Sequence, residues 1–546
     1  MFCVNYLNII FLIISSVLCV LSYIMNRKGV SPLKDRPYRI LLVLAVGLAL
    51  FVRIAEFGSV PFGVNQDEAM AAVDAKALAM HGTDRNGMVY PVHFEAWGFG
   101  QMSVLMSYMM IPFIRLFGFS TAVVRLPTLI VSLAGILALY FFCRESFNRD
   151  LALIVLFFAA VNPWHIVQSR WALDCNIFPH MLIIAASLLS HGLTNQRHRF
   201  CIYISMIFFG LSMYCYGISI YTVTVFLVAV CIWLILTRKI RIYDVLICLA
   251  IYLAVSWPFI AVMIINTFRL PSIETAWFTI PYFSGTVRTS DILFFSDNFF
   301  PQLWSNIVSL LLILFQAGND YLGNVVPGFS TMYPFTLPFS ILGFIWIFKN
   351  RRTSPGAMLI FILFLTGIFD GLITNNVNVN RINLIFYPVI VFSGIGIYRV
   401  IRNVKFGDLA IEIMFAAAFT LLCCTYFTSY AKDISLNFSS DFGQAVSELK
   451  MSDSDKIFIT PDVQDKGRWY VSEILSLYYL EVDASEYQSS SFGSRYHFIN
   501  PTEDIVKSNK DASYVITAED SKLFDGDDFE IIKYGRYAAV IPSEKD

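Results

Sequence analysis

Apolar runs close to the length of a membrane-spanning helix recur throughout the first 428 residues of this chain. A helix needs about 20 apolar residues to cross the hydrocarbon of a bilayer. Charged residues make up only 14% of the chain, about half the usual share, which excludes an ordinary cytosolic enzyme, a disordered chain and a nucleic-acid binder. We predict twelve spans, at residues 7–25, 39–56, 126–143, 151–168, 177–193, 200–216, 220–236, 245–265, 334–348, 356–374, 382–399 and 408–428.

The distribution of charge divides the chain into a basic body and an acidic tail. From residue 429 onward there are 22 acidic and 12 basic residues, whereas residues 1–428 hold 18 acidic and 27 basic ones. The tail alternates helix-like segments at 441–450 and 470–481 with strand-like segments at 456–460, 496–499, 514–517 and 537–541. We predict an extra N-terminal helix with its basic connection at 1–38, a multi-spanning domain at 39–428, and a small α/β domain at 429–546.

Basic residues in the short connections indicate how the body lies in the membrane, because Lys and Arg are retained on the cytoplasmic side. All six basic connections fall on one face if the apolar segments 102–117 and 306–317 do not cross. Both segments are short, so we expect interfacial or re-entrant helices there. The opposite, outer face then receives the long loop 57–125, the short loop 169–176 and the C-terminal domain.

Asp67 and Glu68 are adjacent carboxylates, directly after the second predicted span reaches the outer face. Adjacent carboxylates repel each other, and they persist where one is a base or a metal ligand, or where water solvates both. A solvated loop is the commoner explanation for the dipeptide alone. Its position beside the membrane makes the pair the first candidate for a functional site.

Asp174 lies between two predicted spans on the same outer face. Ionisable groups at this depth are costly and tend to be functional. Arg170 stands four residues earlier and would pair with Asp174 across one helical turn, so structural pairing is an equal alternative.

Two further candidates lie on the same face. Asp74 follows Asp67 by two helical turns and would share its helix face, although a helix rim that faces water is the alternative for Asp74. Arg381 begins a span near the depth of lipid phosphates, where an arginine fork binds phosphate through two bonds. Anchoring on a lipid headgroup is the alternative for Arg381. The outer face also carries Arg53, Arg269 and Arg288.

These residues and their order resemble the C-type (GT-C) membrane glycosyltransferases, specifically the protein O-mannosyltransferases and the lipid A aminoarabinose transferase. The resemblance covers residues 40–265 well, the later spans by topology and Arg381 only, and the tail hardly at all. The family's frequent His-x-Pro-Pro element is missing, and a stretch around Gly98 and Gly100 takes its place. The matching pieces are Asp67-Glu68, Trp97-Gly98-Phe99-Gly100-Gln101, Leu116-Phe117-Gly118, Arg125-Leu126-Pro127, Asn162-Pro163, and Arg170 with Asp174.

The resemblance implies a glycosyltransferase that moves a hexosyl or pentosyl group from a polyprenyl-phosphate carrier to an acceptor hydroxyl, with inversion. It implies that Asp67 is the general base, that Glu68 holds Asp67 or binds a sugar hydroxyl, and that Asp174 approaches the sugar or the acceptor. The leaving phosphate needs a cation, either Arg381 or a divalent ion such as Mg²⁺ or Mn²⁺ on Asp67 and Asp174. Substrate-binding roles are expected for Arg381, Arg170, Asp74 and Trp97.

We therefore expect a multi-pass plasma-membrane protein of bacterial origin, with its site and C-terminal domain on the extracytoplasmic face. Its partners would be the lipid-linked sugar donor, the bilayer, and a protein, lipid or cell-envelope glycan acceptor, but no nucleic acid. The ten cysteines and seven histidines lack disulfide or zinc spacing, which disfavours a zinc hydrolase.

Two other classes of protein suit some of these features. Twelve spans also suit a transporter or lipid flippase, but transporters place their charged sites near the bilayer midplane, often in repeated halves. Here the acids cluster at the outer ends of spans and no halves repeat. A membrane scaffold that presents its acidic tail to a partner is the third possibility.

Overall fold

The computed structural model describes residues 2–25, 32–98, 100–284, 293, 298–316, 320–463, 469–524 and 528–543. Helices dominate the first part of the chain, because its apolar runs bury their backbone hydrogen bonds within single segments. In chain order they are α1 (Phe2–Ile24), α2 (Asp35–Ile54), α3 (Gln66–His81), α4 (Leu105–Phe117), α5 (Thr121–Ser146), α6 (Arg149–Val161), α7 (Pro163–Gln168), α8 (Asp174–Thr194), α9 (Cys201–Ser212), α10 (Ser219–Leu236), α11 (Ile242–Phe268), α12 (Phe299–Phe315), α13 (Leu337–Asn350), α14 (Pro355–Ile373), α15 (Phe386–Asn403) and α16 (Gly407–Thr425).

Among the described residues, nine helical segments are long and apolar enough to cross a membrane. They are α1, α2, α5, α8, α10, α11, α14, α15 and the segment that begins with α16. The chain is therefore a multi-pass membrane protein. The apolar segment 102–117 contains the shorter helix α4, of 13 residues. The segment 306–317 overlaps the second half of α12, a helix of 17 residues that begins earlier, at Phe299.

Three of the twelve predicted spans contain shorter helices than their sequences suggest. Within 151–168, α6 ends at Val161 because Asn162 caps a new helix with Pro163 in its first turn. The Asn162 side chain accepts a hydrogen bond from the His165 N–H at 3.0 Å, which is a common way to begin a helix. The predicted span 200–216 contains α9, of 12 residues, and 334–348 overlaps α13, of 14 residues, which ends two residues later at Asn350.

The C-terminal part contains the predicted small α/β domain. It follows two short hairpins in the membrane body, β1 (Phe94–Glu95) with β2 (Gln101–Met102) and β3 (Ile273–Glu274) with β4 (Thr279–Ile280). Its five strands are β5 (Ile457–Ile459), β6 (Tyr496–His497), β7 (Ser513–Thr517), β8 (Phe529–Tyr534) and β9 (Tyr537–Pro542). They form one sheet in the order β6-β5-β7-β9-β8, in which β5 is parallel to both neighbours and β9 is antiparallel to both. The sequence analysis missed β8.

Six helices accompany this sheet. They are α17 (Ala431–Asn437), α18 (Ser440–Glu448), α19 (Trp469–Tyr479), α20 (Ala484–Tyr487), α21 (Ser490–Arg495) and α22 (Glu503–Ser508). Helix α16 continues through a π-helical turn at Tyr426–Tyr430 into α17. The predicted domain boundary after residue 428 therefore falls inside a continuous helical segment.

The C-terminal domain packs against the first long loop of the membrane body. Helix α19 lies on α3, and the Lys76 ammonium donates to the backbone carbonyl of Glu481 at 2.6 Å. The hydroxyls of Thr121, at the start of α5, and Tyr478, on α19, are 3.0 Å apart. This packing brings residues from both parts of the chain to the beginning of α3.

Candidate active site

The start of α3 fixes the position of Asp67. Asn65 precedes the helix, and its side chain accepts a hydrogen bond from the Asp67 N–H at 2.9 Å. Asp67 thus lies in the first turn, where the helix dipole stabilises a negative charge. The indole Nε1 of Trp97 donates to Asp67 Oδ1 at 2.5 Å. The backbone and an indole from the same loop therefore orient this carboxylate.

The side chain of Glu68 points away from Asp67 into a buried ion pair. Arg125, on α5, donates from Nε and Nη2 to the two Glu68 oxygens at 2.7 and 2.8 Å, and both side chains are fully buried. Arg125 also donates to the carbonyls of Pro61 and Gly63 at 2.6 and 2.8 Å. Glu68 therefore holds α3 and α5 together.

Glu68 also brings the second outer loop to the start of α3. The Ala172 N–H donates to Glu68 Oε1 at 2.8 Å. Asp174 follows two residues later in the first turn of α8, is 8% exposed, and accepts a hydrogen bond from the Cys175 N–H at 2.7 Å. Asp67 and Asp174 both lie near enough to the Cys175 thiol to interact with it electrostatically. The structure thus brings together the two aspartates that the sequence separates by more than a hundred residues.

Arg170 ties the second loop to the end of α2. Each of its guanidinium nitrogens donates to backbone carbonyls in the last turn of α2 or in the turn that follows, between Val52 and Val60, at 2.7 to 3.2 Å. Its guanidinium also lies 5.4 and 5.3 Å from the rings of Tyr426 and Phe427. The predicted pairing with Asp174 is not made, because the residues between them form a loop and not a helical turn.

Asp74 likewise supports the fold. It is completely buried, and Arg85 donates to it from its backbone N–H at 3.1 Å and from Nη1 at 2.5 Å. The alternative of a helix rim that faces water is therefore wrong for Asp74, and its substrate contact stays a prediction. It anchors the chain that leaves α3.

Asp84 lies beside this ion pair. Its Oδ1 accepts hydrogen bonds from the N–H groups of Asn86 and Met88 at 3.0 and 2.9 Å. Burial, with the nearby charge of Asp74, raises the pKa of Asp84 to about 7. This carboxyl group therefore titrates near neutral pH.

Arg381 lies in a loop that is tied to both aspartate segments. Its Nη1 donates to the Asn376 carbonyl at 3.0 Å, and its backbone N–H donates to Asn378 Oδ1 at 3.0 Å. Two residues later, Asn383 Nδ2 donates to the Cys175 carbonyl at 3.1 Å. The Arg381 loop is therefore joined to the first turn of α8, which carries Asp174.

A second connection joins this loop to the Asp67 side of the site. The Val379 N–H donates to Asp320 Oδ2 at 2.8 Å. The neighbouring Tyr321 accepts a hydrogen bond on its hydroxyl from Asn65 Nδ2 at 2.9 Å. Asp320 and Tyr321 therefore bridge Asn65, which caps α3, and the loop that presents Arg381.

The other basic candidates lie elsewhere. Arg53 is fully buried and donates to the carbonyls of Ala159 and Ala160, at 3.2 and 3.0 Å. Arg269 is exposed and ends α11 in a left-handed backbone conformation. Arg288 lies outside the described residues. Of the four basic candidates on the predicted outer face, Arg381 is the one whose loop is joined to both aspartate segments through the described residues.

A residue of the C-terminal domain also contacts this site, which was not predicted from the sequence. Tyr470, on α19, places its ring 5.5 Å from that of Trp97. Gly98 has a φ of +70°, and a Cβ at this position would lie 2.5 Å from the Tyr470 ring. No local pattern in the sequence marks Tyr470, since its role depends on a contact between distant segments.

A divalent ion would find two protein carboxylates here. No group of three His, Cys, Asp or Glu side chains that could hold a metal ion occurs among the described residues. Mg²⁺ is often held by one or two carboxylates together with substrate phosphate and water. The pair Asp67 and Asp174 fits that mode of binding and does not fit a closed protein site.

Comparison with known proteins gives one family and several related folds. The model of the family described as dolichyl-phosphate-mannose-protein mannosyltransferase matches residues 102–264. The structure of ArnT from Cupriavidus metallidurans, bound to undecaprenyl phosphate, superimposes with a TM-score of 0.55 at 12% identity, over 91% of this chain and 97% of that chain. A comparison with curated protein sequences gives no significant match.

The oligosaccharyltransferase of Archaeoglobus fulgidus is a more distant structural neighbour. Its apo form gives a TM-score of 0.45 at 14% identity, over 89% of this chain and 70% of that chain. In complex with an inhibitory peptide and a dolichol-phosphate it gives a TM-score of 0.44, at the same identity and coverage.

The membrane helices and the superposition define a multi-pass membrane protein with the fold of the C-type glycosyltransferases. Within that class, the family match over residues 102–264 confirms the resemblance predicted from the sequence. The predicted fold class is likewise confirmed.

Proposed function

We propose that this protein transfers a sugar from a polyprenyl-phosphate carrier to an acceptor hydroxyl, on the extracytoplasmic face of the membrane. One observation carries the proposal: the hydrogen bond from the Ala172 N–H to Glu68 brings the Asp67 and Asp174 segments to one site. The structural neighbour ArnT binds undecaprenyl phosphate, and the matching family is described by a dolichyl-phosphate-mannose donor. Both support a lipid-linked sugar as the donor.

Asp67 acts as the general base in this proposal. It removes the proton of the acceptor hydroxyl while that oxygen attacks the anomeric carbon from the face opposite the phosphate, so the configuration inverts. A base must be held in a fixed direction to be efficient. The helix start and the 2.5 Å hydrogen bond from Trp97 supply that orientation for Asp67.

Arg381 binds the phosphate of the donor. A prenyl phosphate is a weak base, so its departure needs stabilisation of the growing negative charge and needs no general acid. An arginine meets this need through a charge-assisted hydrogen bond. The link from Asn383 to the Cys175 carbonyl supports this role, because it ties the Arg381 loop to the turn that carries Asp174.

Asp174 approaches the sugar or the acceptor from the second outer loop. A divalent ion on Asp67 and Asp174 would add positive charge beside the donor phosphate. Removal of divalent ions with EDTA, followed by the addition of Mg²⁺ or Mn²⁺, tests that part of the proposal. Restored transfer supports a metal, and undiminished transfer in EDTA assigns the phosphate to Arg381 alone.

The decisive experiment uses the full-length protein in membranes with a panel of radiolabelled polyprenyl-phosphate sugars. Asp67→Asn should reduce transfer at least about 100-fold, the scale of general base catalysis, with unchanged yield and melting temperature. The matched control is Asp433→Asn, because Asp433 is exposed on α17.

Two results would contradict this proposal. Equal transfer by Asp67→Asn and wild type would remove Asp67 as the base. Movement of the labelled lipid between leaflets without any transfer would favour a flippase. The acceptor pool recovered from wild-type membranes then identifies the modified class, whether protein, lipid or glycan.

A further inference from the structure

A cavity of about 200 Å³ lies between the first outer loop and the C-terminal domain. One wall comes from the turn before α3 and the start of α5, and the other from α18, α19 and β8. It is lined by Gly58, Phe62, Gly63, Thr121, Ser440, Gly443, Gln444, Ser447, Glu448, Tyr479 and Tyr534. No residue of this cavity belongs to the site around Asp67 and Asp174.

The cavity offers polar groups beside aromatic rings. Glu448 is half-buried and accepts a hydrogen bond from the Tyr534 hydroxyl, and Gln444 adds an amide that both donates and accepts. The Tyr479 ring forms part of the wall and lies against Gly443.

The charge of this lining selects the kind of ligand. It contains one carboxylate and no Lys or Arg, so a phosphate or another anion would meet repulsion and no counter-charge. Hydroxyl, amide and carboxylate groups hydrogen-bond to hydroxyls in either direction, and aromatic faces cover apolar C–H surface. These are the features of a neutral polyhydroxyl ligand.

The size of the cavity suits a small unit. Its volume of about 200 Å³ lies below the roughly 300–1,000 Å³ of pockets that hold drug-sized ligands, which favours one sugar ring. Non-covalent contacts join the cavity to the candidate active site. The Gly63 carbonyl in its wall accepts a hydrogen bond from Arg125, which pairs with Glu68 beside Asp67.

We infer that this cavity binds one neutral sugar residue of a glycan acceptor. The inference rests on the proposed function, and it narrows the acceptor class to molecules that already carry saccharide. The sugar residue in the cavity belongs to the acceptor but is not the residue that carries the reacting hydroxyl. The donor phosphate is held at Arg381.

Direct binding tests the inference without requiring transfer. Saturation-transfer NMR would be recorded on the full-length protein in detergent with the methyl glycosides of glucose, mannose and galactose. We expect saturation transfer to at least one glycoside, with no competition from inorganic phosphate. Ser447→Trp should abolish it, because Ser447 is exposed on α18 and a tryptophan there fills the cavity without disturbing the core.

The matched control is Ser508→Trp. Ser508 is also exposed, and like Ser447 it donates its hydroxyl to the carbonyl four residues earlier. The Ser508→Trp variant should bind the glycoside like wild type. The inference is overturned if no methyl glycoside gives a signal, if phosphate competes, or if Ser447→Trp retains the signal.

The Asp67→Asn variant distinguishes a failure of the cavity inference from a failure of the proposed reaction. If this variant loses transfer and keeps glycoside binding, both proposals stand. If it keeps transfer while Ser447→Trp loses glycoside binding, the cavity is a saccharide site and the proposed role of Asp67 fails. With a glycan acceptor, Ser447→Trp should raise the acceptor KM at least tenfold and leave the donor KM unchanged.

Discussion

Trp97 donates its indole N–H to Asp67 Oδ1 at 2.5 Å, and its ring packs against Tyr470 from the C-terminal domain. The carboxylate proposed as the base is therefore positioned by residues from two distant parts of the chain. The C-terminal domain therefore contributes Tyr470 to the surroundings of Asp67, in addition to packing on the membrane body.

Trp97→Phe removes the N–H and keeps an aromatic ring. A hydrogen bond to a charged group contributes about 1.5–3 kcal/mol, so kcat should fall about 10- to 100-fold if that bond orients the base. The donor KM should stay nearly unchanged. Trp277→Phe is the control, since Trp277 is 82% exposed, and a similar loss in both variants would contradict the role of the hydrogen bond.

Gly98→Ala should displace Tyr470 from Trp97 and lower transfer. The new Cβ would lie 2.5 Å from the Tyr470 ring, so the ring or the loop must shift. Gly118→Ala is a close control, because Gly118 also has a positive φ, of +80°, but has open space at its Cβ position. Backbone strain alone would affect both variants alike, whereas displacement of Tyr470 affects only Gly98→Ala. Transfer rates at equal protein yield distinguish the two.

Glu68→Gln should destabilise the protein strongly. It leaves Arg125 buried with a neutral partner, and the loss of one member of a buried ion pair costs about 3–5 kcal/mol. The melting temperature in detergent measures this, with the exposed Glu519→Gln as the control. Adding Arg125→Met to Glu68→Gln should recover part of the loss. A Glu68→Gln variant as stable as wild type but inactive would instead assign Glu68 a direct part in the reaction.

Arg381→Gln should raise the donor KM about 10- to 100-fold. That range follows from about 1.5–3 kcal/mol for a hydrogen bond from a charged group. Arg269→Gln serves as the control, because Arg269 is exposed and lies at the end of α11. If acceptor KM rises and donor KM does not, Arg381 binds the acceptor and the proposed phosphate contact is wrong.

Asp84→Asn should change how stability depends on pH. The pKa of Asp84 is about 7, above the ordinary value of 3.8, so between these values the folded chain binds more protons than the unfolded chain. The free energy of unfolding therefore falls as the pH rises through this window and levels off above pH 7.

Asn keeps the oxygen that accepts from Asn86 and Met88 and removes the charge near Asp74. The variant should therefore melt at a higher temperature than wild type at pH 8, with little difference at pH 5. Asp455→Asn is the control, because Asp455 lies on an exposed loop. It should melt like wild type at both pH values. An equal pH dependence in Asp84→Asn and wild type would contradict the raised pKa.

The membrane architecture could be predicted from sequence because it depends on local composition. A run such as 220–236 contains almost nothing except apolar residues, so its helix follows from the bilayer alone. The break in 151–168 was also visible, since Asn162-Pro163 is a helix-starting pair, but its effect on the length of α6 was not recognised. Strand β8 was not predicted, because its sequence directly follows a strongly charged turn.

The site was only partly predictable. Asp67, Asp174 and Arg381 stand at the ends of spans, and that position marks them in the sequence. The alternative pairing of Arg170 with Asp174 was wrong, because a spacing of four residues indicates a contact only where the chain is helical. Tyr470 depends on tertiary packing that no sequence pattern in a single chain records.

The contact between Trp97 and Tyr470 also sets the order in which the protein can be completed. Among the described residues, Tyr470 follows every helix long enough to cross a membrane, so during synthesis the neighbourhood of Asp67 stays unfinished until the segment around Tyr470 has left the ribosome. A nascent or truncated chain would present its carboxylates without that contact. Completion of the site is thereby coupled to synthesis and folding of the C-terminal domain.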